Sequence, residues 1–272
     1  MIEEIPYYLQ GNYQPNSLEY WQSTDNQNNF RRFLKHKKTR ELLKFNDYDE
    51  NTIIEYRGNN YRFRGNDIKT NLDSLVVLGC SFTEGIGLNF EHTFGYICAE
   101  ELGLYYINLG KGATGPITSF MLAEYWIPVI KPKYVLYLEP FKARFETTTE
   151  EMSITCLDIM WKGKKNSKAF CRDFVKLWSA NDENFRVNAK RSELAIRYIC
   201  EKNNAKFFMQ TSTFDINSDH DLDPEKRELY NSRLVNINGN NKEFYDLARD
   251  LAHSGKHTHR YWANKFLQQI YK

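Results

Sequence analysis

The chain has 272 residues, of which 41% are apolar, so it is long enough to bury a sizeable core. Its net charge of +2, without a long run of one sign, argues against a nucleic-acid-binding protein. The five cysteines match no disulfide or zinc spacing, which indicates a reduced, intracellular chain. The segment MIEEIPYYLQ lacks the pattern of a signal peptide, and no apolar run approaches the ~20 residues that span a bilayer. We therefore expect a cytoplasmic protein without a membrane or nucleic-acid partner.

The first 70 residues are polar and aromatic, with Asn, Gln and Tyr prominent. FRRFLKHKKTRELLKF at 30–45 predicts a helix, and its basic residues are typical of a solvated face. TIIEYRGNNYRFRG at 52–65 predicts a hairpin that turns at GNN. Because no clear linker follows, we expect residues 1–70 to form an N-terminal extension or cap that packs on the main domain, residues 71–272.

From residue 75 onward, predicted strands and helices alternate. The strands are expected at 75–79, 105–110, 134–139 and 205–211, and the helices near 91–102, 116–129, 182–203 and 256–271. This alternation predicts an α/β domain with a doubly wound, flavodoxin-like parallel sheet and helices on both faces. Residues 140–180 interrupt the rhythm, so we interpret them as an insertion after the third strand.

A serine follows the first of these strands directly, in LVVLGCSFTEG at 75–85. The short apolar run is typical of a strand covered on both faces, and Gly79 ends it. Ser81 then falls at the carboxyl end of the strand, where open α/β sheets bind ligands. A serine in such a turn is also a common helix N-cap, so its position alone does not establish a nucleophile.

A carboxylate and an imidazole lie three residues apart near the C-terminus, in ARDLAHSGKHTHRYWANKF at 248–266. At this spacing Asp250 can hold one ring nitrogen of His253 while the other nitrogen faces a substrate. A serine hydroxyl needs such a base to become a nucleophile, and a buried aspartate fixes the tautomer of the base. Ser81, His253 and Asp250 are therefore a candidate triad, although an Asp–His pair before a helix is often only a structural hydrogen bond.

A glycine-rich loop, INLGKGATGP at 107–116, follows the second strand. Its backbone N–H groups could serve an oxyanion hole, or the loop could be a plain tight turn. Its spacing matches neither a Walker A nor a dinucleotide fingerprint.

Two competing sites are less favoured. Adjacent side chains of an extended segment point to opposite sides, so we place Cys80 in the sheet packing and Ser81 at the site. His253, His257 and His259 have no carboxylate partner at helical spacing, and His259 falls off the face shared by the other two. We predict neither a metal site nor a cofactor.

Taken together, these segments resemble the SGNH (GDSL-type) hydrolases over about 75–139 and 205–271. GCSFTEG resembles the first block, with Cys80 where that block usually has Asp, and INLGKGATGP resembles the second. DLAHSG resembles the last block, with Leu251 and Ser254 at positions often held by Gly and Pro. IEYRGNNYRFRG resembles an N-terminal segment of some phage and bacterial members, which would fit expression from a viral genome.

The resemblance implies an esterase that cleaves a small O-acyl ester, such as an O-acetyl group on a sugar. It implies Ser81 as nucleophile and first oxyanion donor, and His253 and Asp250 as the rest of the triad. Gly112 or Ala113 would supply the second oxyanion donor.

The third block departs from the family, because LEPFKARFE at 138–146 lacks the Asn that usually donates to the oxyanion. Losing one such donor typically costs about 10²–10³ in rate. Either Arg144 replaces it as a charged donor or substrate anchor, or activity is weak, or the protein binds a glycan or ester without hydrolysing it. A further alternative is a structural or assembly protein, such as a viral component, that retains only the fold.

Overall fold

The computed structural model describes residues 5–45, 47–70, 72–148, 154–157, 177–178, 180–211 and 246–272. The N-terminal region contains short elements around a small antiparallel strand pair. They are a 3₁₀ turn at Tyr7–Leu9, strand β1 (Leu18–Glu19), helices α1 (Gln27–Lys35) and α2 (Lys37–Phe45), and strand β2 (Tyr56–Arg57).

Two local predictions for this region are corrected. The helix expected over 30–45 is divided into α1 and α2, because the backbone is extended at His36 (φ −96°, ψ 123°). The Thr39 hydroxyl donates hydrogen bonds to the carbonyl of Phe33, before this break, and to the carbonyl of His36, at the break. The expected hairpin forms only around the antiparallel bridge between Gly58 and Arg64, and its turn lies at residues 60–62 rather than at GNN. Strand β2, which leads into it, also pairs with β1.

The main domain alternates strands and helices as predicted. Its elements are β3 (Ser74–Leu78), α3 (Ser81–Glu84), a 3₁₀ turn (Phe90–His92), α4 (Phe94–Leu102), β4 (Tyr105–Asn108), α5 (Pro116–Ile130), β5 (Tyr134–Glu139), β6 (Phe145–Thr148), β7 (Ile154–Leu157), α6 (Glu183–Lys202), β8 (Lys206–Thr211) and α7 (Lys256–Ile270). Four strands form a parallel sheet in the order β4-β3-β5-β8. The first strand of the domain is internal, so the chain winds in both directions from it, and the doubly wound, flavodoxin-like α/β prediction is confirmed.

Strand β3 is buried along its whole length, which explains why its sequence is continuously apolar rather than alternating. Leu75 and Val77 belong to a core with residues of α4 and α7. Val76 and Leu78 belong to a second core, with residues of α5 and α6. The helices therefore cover both faces of the sheet, and the loops at the carboxyl ends of the strands remain available for a site.

The chain leaves the main sheet after β5, where the insertion was predicted. Strands β6 and β7 form a separate antiparallel pair with Phe145 opposite Leu157. Residues 149–153, 158–176 and 179, which the predicted insertion also includes, lie outside the described residues. Among the helices that the structure describes, none has both the length and the apolar composition needed to cross a bilayer.

The N-terminal region contacts the main domain through both apolar and polar groups. Leu9 and Phe63 belong to the core beneath α5, and the Trp126 indole donates to the Leu9 carbonyl at 2.9 Å. The buried Arg64 guanidinium donates to the carbonyls of Gly85 and Leu88, just after α3. These contacts place N-terminal side chains beside the turn that carries Ser81. The predicted boundary at residue 70 between the N-terminal region and the main domain stays a prediction.

Candidate active site

The serine turn, residues 79–85, depends on the absence of a side chain at Gly79. A Cβ there would lie 2.1 Å from Thr83 Oγ1 and 2.6 Å from the Leu138 carbonyl oxygen, and φ is +152°. Glycine is therefore required for the sharp change from β3 to α3. Helix α3 begins at Ser81, which is 8% exposed, and Cys80 is 2% exposed. The burial of Cys80 agrees with the prediction that it packs in the sheet.

The glycine loop, residues 109–115, lies against the serine turn. A Cβ on Gly110 would come within 2.5 Å of the Glu84 backbone nitrogen, and one on Gly112 would be 2.7 Å from Glu84 Oε2. The Gly110 N–H donates to Asn108 Oδ1 at 2.9 Å, which fixes the start of the loop. Ala113 has φ +60°, a left-handed conformation that is unusual for a residue with a side chain. Both predicted oxyanion residues, Gly112 and Ala113, thus belong to a loop in contact with α3.

The histidine turn, residues 246–255, holds Asp250 and His253 together. The distance from His253 Nδ1 to Asp250 Oδ2 is 2.6 Å, and the His253 ring is 12% exposed. The turn is closed by the Ala248 N–H, which donates to the His253 carbonyl at 2.8 Å. Leu251 has φ +52°, a left-handed conformation that is unusual for a residue with a side chain. The predicted Asp–His pair therefore forms, within a turn whose backbone conformation suits glycine.

Asp250 is a buried carboxylate that accepts hydrogen bonds on both oxygens. Oδ1 accepts the backbone N–H groups of Ala252 at 3.1 Å and His253 at 3.0 Å. Oδ2 receives the imidazole and, at 2.5 Å, the hydroxyl of Thr24. Burial alone would raise the pKa of Asp250. The hydrogen bonds from His253, the charge of its ring and the hydrogen bond from Thr24 outweigh burial, so that the pKa of Asp250 is lowered. Asp250 is therefore an anion suited to stabilise an imidazolium.

The serine turn and the histidine turn are neighbours at the carboxyl edge of the sheet. The Arg249 N–H donates to the Gly87 carbonyl at 3.0 Å, just beyond the serine turn. The ring of Phe82, the residue after Ser81, lies edge-on to the His253 ring at a centroid distance of 5.3 Å. The fold thus brings together two segments that are about 170 residues apart in the sequence.

Arg144 lies beside the glycine loop. Its Nη1 donates to the Thr114 carbonyl at 2.7 Å, and its own carbonyl accepts from the Asn188 amide at 3.4 Å. The Trp178 indole donates to the Ala143 carbonyl at 3.1 Å. The backbone carbonyls of Ala143 and Arg144 therefore both accept hydrogen bonds from side chains. The segment that follows β5 is therefore anchored on α6 and lies next to the predicted oxyanion donors.

The structure also reveals a buried carboxylate, Glu146, that sequence reasoning did not identify. Its side chain accepts the backbone N–H groups of Gly115 at 2.7 Å and Thr118 at 3.1 Å, and also the Thr118 hydroxyl. An anion at this place satisfies free N–H groups and complements the dipole at the start of α5. The only sequence signal was its position after the third strand, because β6, the short strand that carries Glu146, lies within the predicted insertion and was not itself predicted.

A second unpredicted group is Glu84, on the helix that begins at Ser81. Glu84 Oε1 accepts the Tyr13 hydroxyl at 2.7 Å, and Oε2 has no hydrogen-bond partner among the described residues. Burial raises the pKa of Glu84, against the opposing effects of the Tyr13 hydrogen bond and the charge of Arg64. A buried carboxyl group with a raised pKa therefore lies directly beneath the glycine loop.

The remaining histidines do not join the pair. The buried His259 Nδ1 accepts the Phe94 N–H at 3.1 Å, and burial, more than nearby positive charges, lowers its pKa to about 3. His259 is thus a neutral core residue with a satisfied acceptor. Within the described ranges, no group of three or more His, Cys, Asp or Glu side chains is arranged to hold a metal ion.

No protein-family model and no curated protein sequence matches the chain. Several solved structures are distantly similar to it, including the following two. A candidate acylhydrolase from Bacteroides fragilis matches with 16% identity and a TM-score of 0.39, over 74% of this chain and 88% of its own. An acetyl xylan esterase matches with 14% identity and a TM-score of 0.32, over 72% of this chain and 99% of its own. The case for an activity therefore depends on the chain's own residues.

Proposed function

We propose that the chain is a serine esterase of the SGNH type that hydrolyses small O-acyl esters, with residues 71–272 as its catalytic domain. The observation that carries the proposal is the Asp250–His253 pair, with Nδ1 and Oδ2 2.6 Å apart, packed against the turn that begins with Ser81. A structural Asp–His pair would have no need of a serine turn beside it. The site also lies where open parallel sheets bind ligands.

In the proposed reaction, the Ser81 oxygen attacks the ester carbonyl while His253 Nε2 takes the hydroxyl proton. Collapse of the tetrahedral intermediate breaks the bond to the alcohol, which leaves with the proton returned by His253. Water then attacks the acyl-enzyme, again through His253, and releases the acid and the free serine. Asp250 holds Nδ1–H throughout and stabilises the imidazolium without taking its proton.

The developing oxyanion requires donors that are in place before the reaction. The Ser81 N–H and the N–H of Gly112 or Ala113 are the proposed backbone donors, because the glycine loop packs against α3. Arg144 binds the Thr114 carbonyl of the same loop, so a shift of its side chain would bring a charged donor to the position of the missing Asn. Arg144 is therefore the proposed third donor or substrate anchor.

The proposed substrate class is an O-acetyl or similarly small acyl ester, on a sugar or another small alcohol. This narrower assignment depends on the family resemblance and on the aromatic-rich composition, with 18 Tyr and 18 Phe. An assay with p-nitrophenyl acetate tests the reaction without requiring the natural alcohol.

The decisive experiment compares wild type with Ser81→Ala on p-nitrophenyl acetate. We expect a loss of at least about 10³ in kcat, since removal of a triad nucleophile leaves only binding and oxyanion effects. Ser17→Ala is the matched control, because this partly exposed serine lies outside the site and its hydroxyl donates to the nearby Gln14 carbonyl. A fluorophosphonate should label Ser81, as located by peptide mass spectrometry. Equal rates for wild type and Ser81→Ala would refute the esterase assignment.

The absent third-block Asn favours a second candidate, a weakened SGNH module that binds glycan or lipid esters. In that case Ser81→Ala and wild type would hydrolyse equally slowly, while calorimetry with an O-acetylated sugar would still show binding. A protein that retains only the fold would show neither binding nor fluorophosphonate labelling.

A further inference from the structure

A threonine of the N-terminal region contacts both members of the Asp–His pair. The Thr24 hydroxyl donates to Asp250 Oδ2 at 2.5 Å and lies 3.5 Å from His253 Nδ1. It therefore binds the same carboxylate oxygen that receives the imidazole. These residues are more than 220 positions apart in the sequence, so the contact is made only by the fold.

The Thr24 hydroxyl restricts how the carboxylate can turn. Asp250 Oδ1 is held by two backbone N–H groups of its own turn, those of Ala252 and His253. Without Thr24, Oδ2 would be held by the imidazole alone among the described residues. Thr24 itself is exposed, but the carboxylate that it binds is buried, so little water competes for this acceptor. The threonine thus fixes the one oxygen that orients the base.

The Thr24 backbone is held in place by its neighbours. Gln22 and Asp25 exchange two backbone hydrogen bonds, of 2.8 and 3.0 Å, around Thr24. The Asp25 carboxylate then receives Nε and Nη2 of Arg249 at 2.9 and 2.8 Å, with both side chains 1% exposed. Since Arg249 precedes Asp250 directly, this buried ion pair connects the threonine segment to the histidine turn.

We propose that Thr24 is a positioning residue, supplied by the N-terminal region, that orients the Asp250–His253 pair for catalysis. The inference depends on the proposed esterase function, and it makes the N-terminal region part of the active site. The Asp25–Arg249 ion pair would then have the role of keeping Thr24 in register with the histidine turn.

The test compares Thr24→Val, which removes the hydroxyl at nearly constant volume, with Thr24→Ser, which retains it. We expect Thr24→Val to lower kcat about tenfold with KM within twofold, the effect of one lost hydrogen bond expressed in the transition state. Thr24→Ser should retain most of the activity. Thr39→Val is the control, because the Thr39 hydroxyl binds only the backbone carbonyls of Phe33 and His36 in the structure, on the same N-terminal region.

A spectroscopic readout separates failure of this inference from failure of the esterase assignment. The downfield Nδ1–H proton resonance, assigned by its loss in His253→Ala, should shift or broaden in Thr24→Val but not in Thr39→Val. This measurement does not require an active enzyme. If the wild type shows no Ser81-dependent hydrolysis, the proposed esterase function is refuted, but the effect of Thr24 on the Asp250–His253 pair can still be measured. An unchanged resonance in Thr24→Val, with any measurable kcat also unchanged, would overturn the role of Thr24.

Discussion

The serine turn and the histidine turn meet at one edge of the sheet, but they are held by different means. Gly79 shapes the serine turn through its backbone conformation and the space that its missing side chain leaves. The histidine turn is held by side chains from a distant part of the chain, Thr24 and Asp25. Ser81 is thus placed mainly by local backbone conformation, whereas Asp250 and His253 are held by tertiary contacts in addition to the bonds of their own turn.

The strongest test of this difference is Arg249→Met, which should destabilise the fold by about 3–5 kcal/mol. The substitution leaves the buried Asp25 carboxylate without its charged partner. Urea unfolding gives the size of the effect. Arg57→Met breaks the exposed Arg57–Glu55 pair and should cost at most about 1 kcal/mol.

If Arg249→Met does not fold, the double variant Asp25→Asn/Arg249→Met should recover part of the stability, because no unpaired charge stays buried. A loss below ~1 kcal/mol in Arg249→Met would show that the ion pair does not hold the histidine turn.

The serine turn is tested by Gly79→Ala, which should cost about 3 kcal/mol, from the positive φ together with overpacking. The new Cβ would meet Thr83 and the Leu138 backbone, and the backbone has little room to move. Gly103→Ala is the matched control, since Gly103 also has a positive φ (+64°) but no heavy atom within 4 Å of an added Cβ. Urea midpoints should separate the two variants. Equal losses would mean that conformation alone, rather than close packing, determines the turn.

The buried His259 should make the stability of the fold sensitive to acid. In the unfolded chain His259 titrates near its ordinary pKa of 6.5, whereas burial lowers the folded-state pKa to about 3. Between these values the unfolded state binds a proton that the folded state does not, so stability falls as the pH falls. The loss from this group should be about 2 kcal/mol between pH 6.5 and pH 5.

Urea unfolding as a function of pH measures this contribution as the difference between wild type and His259→Asn, which keeps an acceptor near Nδ1 but does not titrate. The variant should show a flatter profile over this window. A His259→Asn profile parallel to that of wild type would show that His259 is not held neutral.

The smallest expected changes in stability come from replacing Ala113 and Leu251, whose left-handed backbone conformations suit glycine. Ala113→Gly should stabilise the fold by less than about 1 kcal/mol, because relief of the left-handed strain is partly offset by added freedom in the unfolded chain. Leu251→Gly should gain less or lose stability, because the Leu251 side chain packs against a buried cluster that includes Ala248 and Ile86. Thermal unfolding of both variants checks the order, and a more stable Leu251→Gly would contradict it.

Much of the fold was predictable from local patterns. The apolar run before Gly79, the alternation of strands with helices, and the three-residue spacing of Asp250 and His253 all act over short distances, and the structure agrees with them. The prediction was wrong at His36, where a break divides one continuous helical pattern. The hairpin was right in kind but wrong in extent and in the place of its turn, and the pairing of β2 with β1 is a tertiary contact that the turn sequence did not indicate.

The sequence by itself determined that a serine ends a buried parallel strand and that an aspartate can hold a histidine in one turn. These features follow from backbone periodicity and turn chemistry, which depend on near neighbours. Only the tertiary structure decided that the two turns meet, that Thr24 completes the carboxylate's hydrogen bonds, and that Glu146 satisfies the start of α5. The physical reason is that a buried polar group needs a partner but does not specify where in the chain that partner lies, so such contacts leave no periodic trace in the sequence.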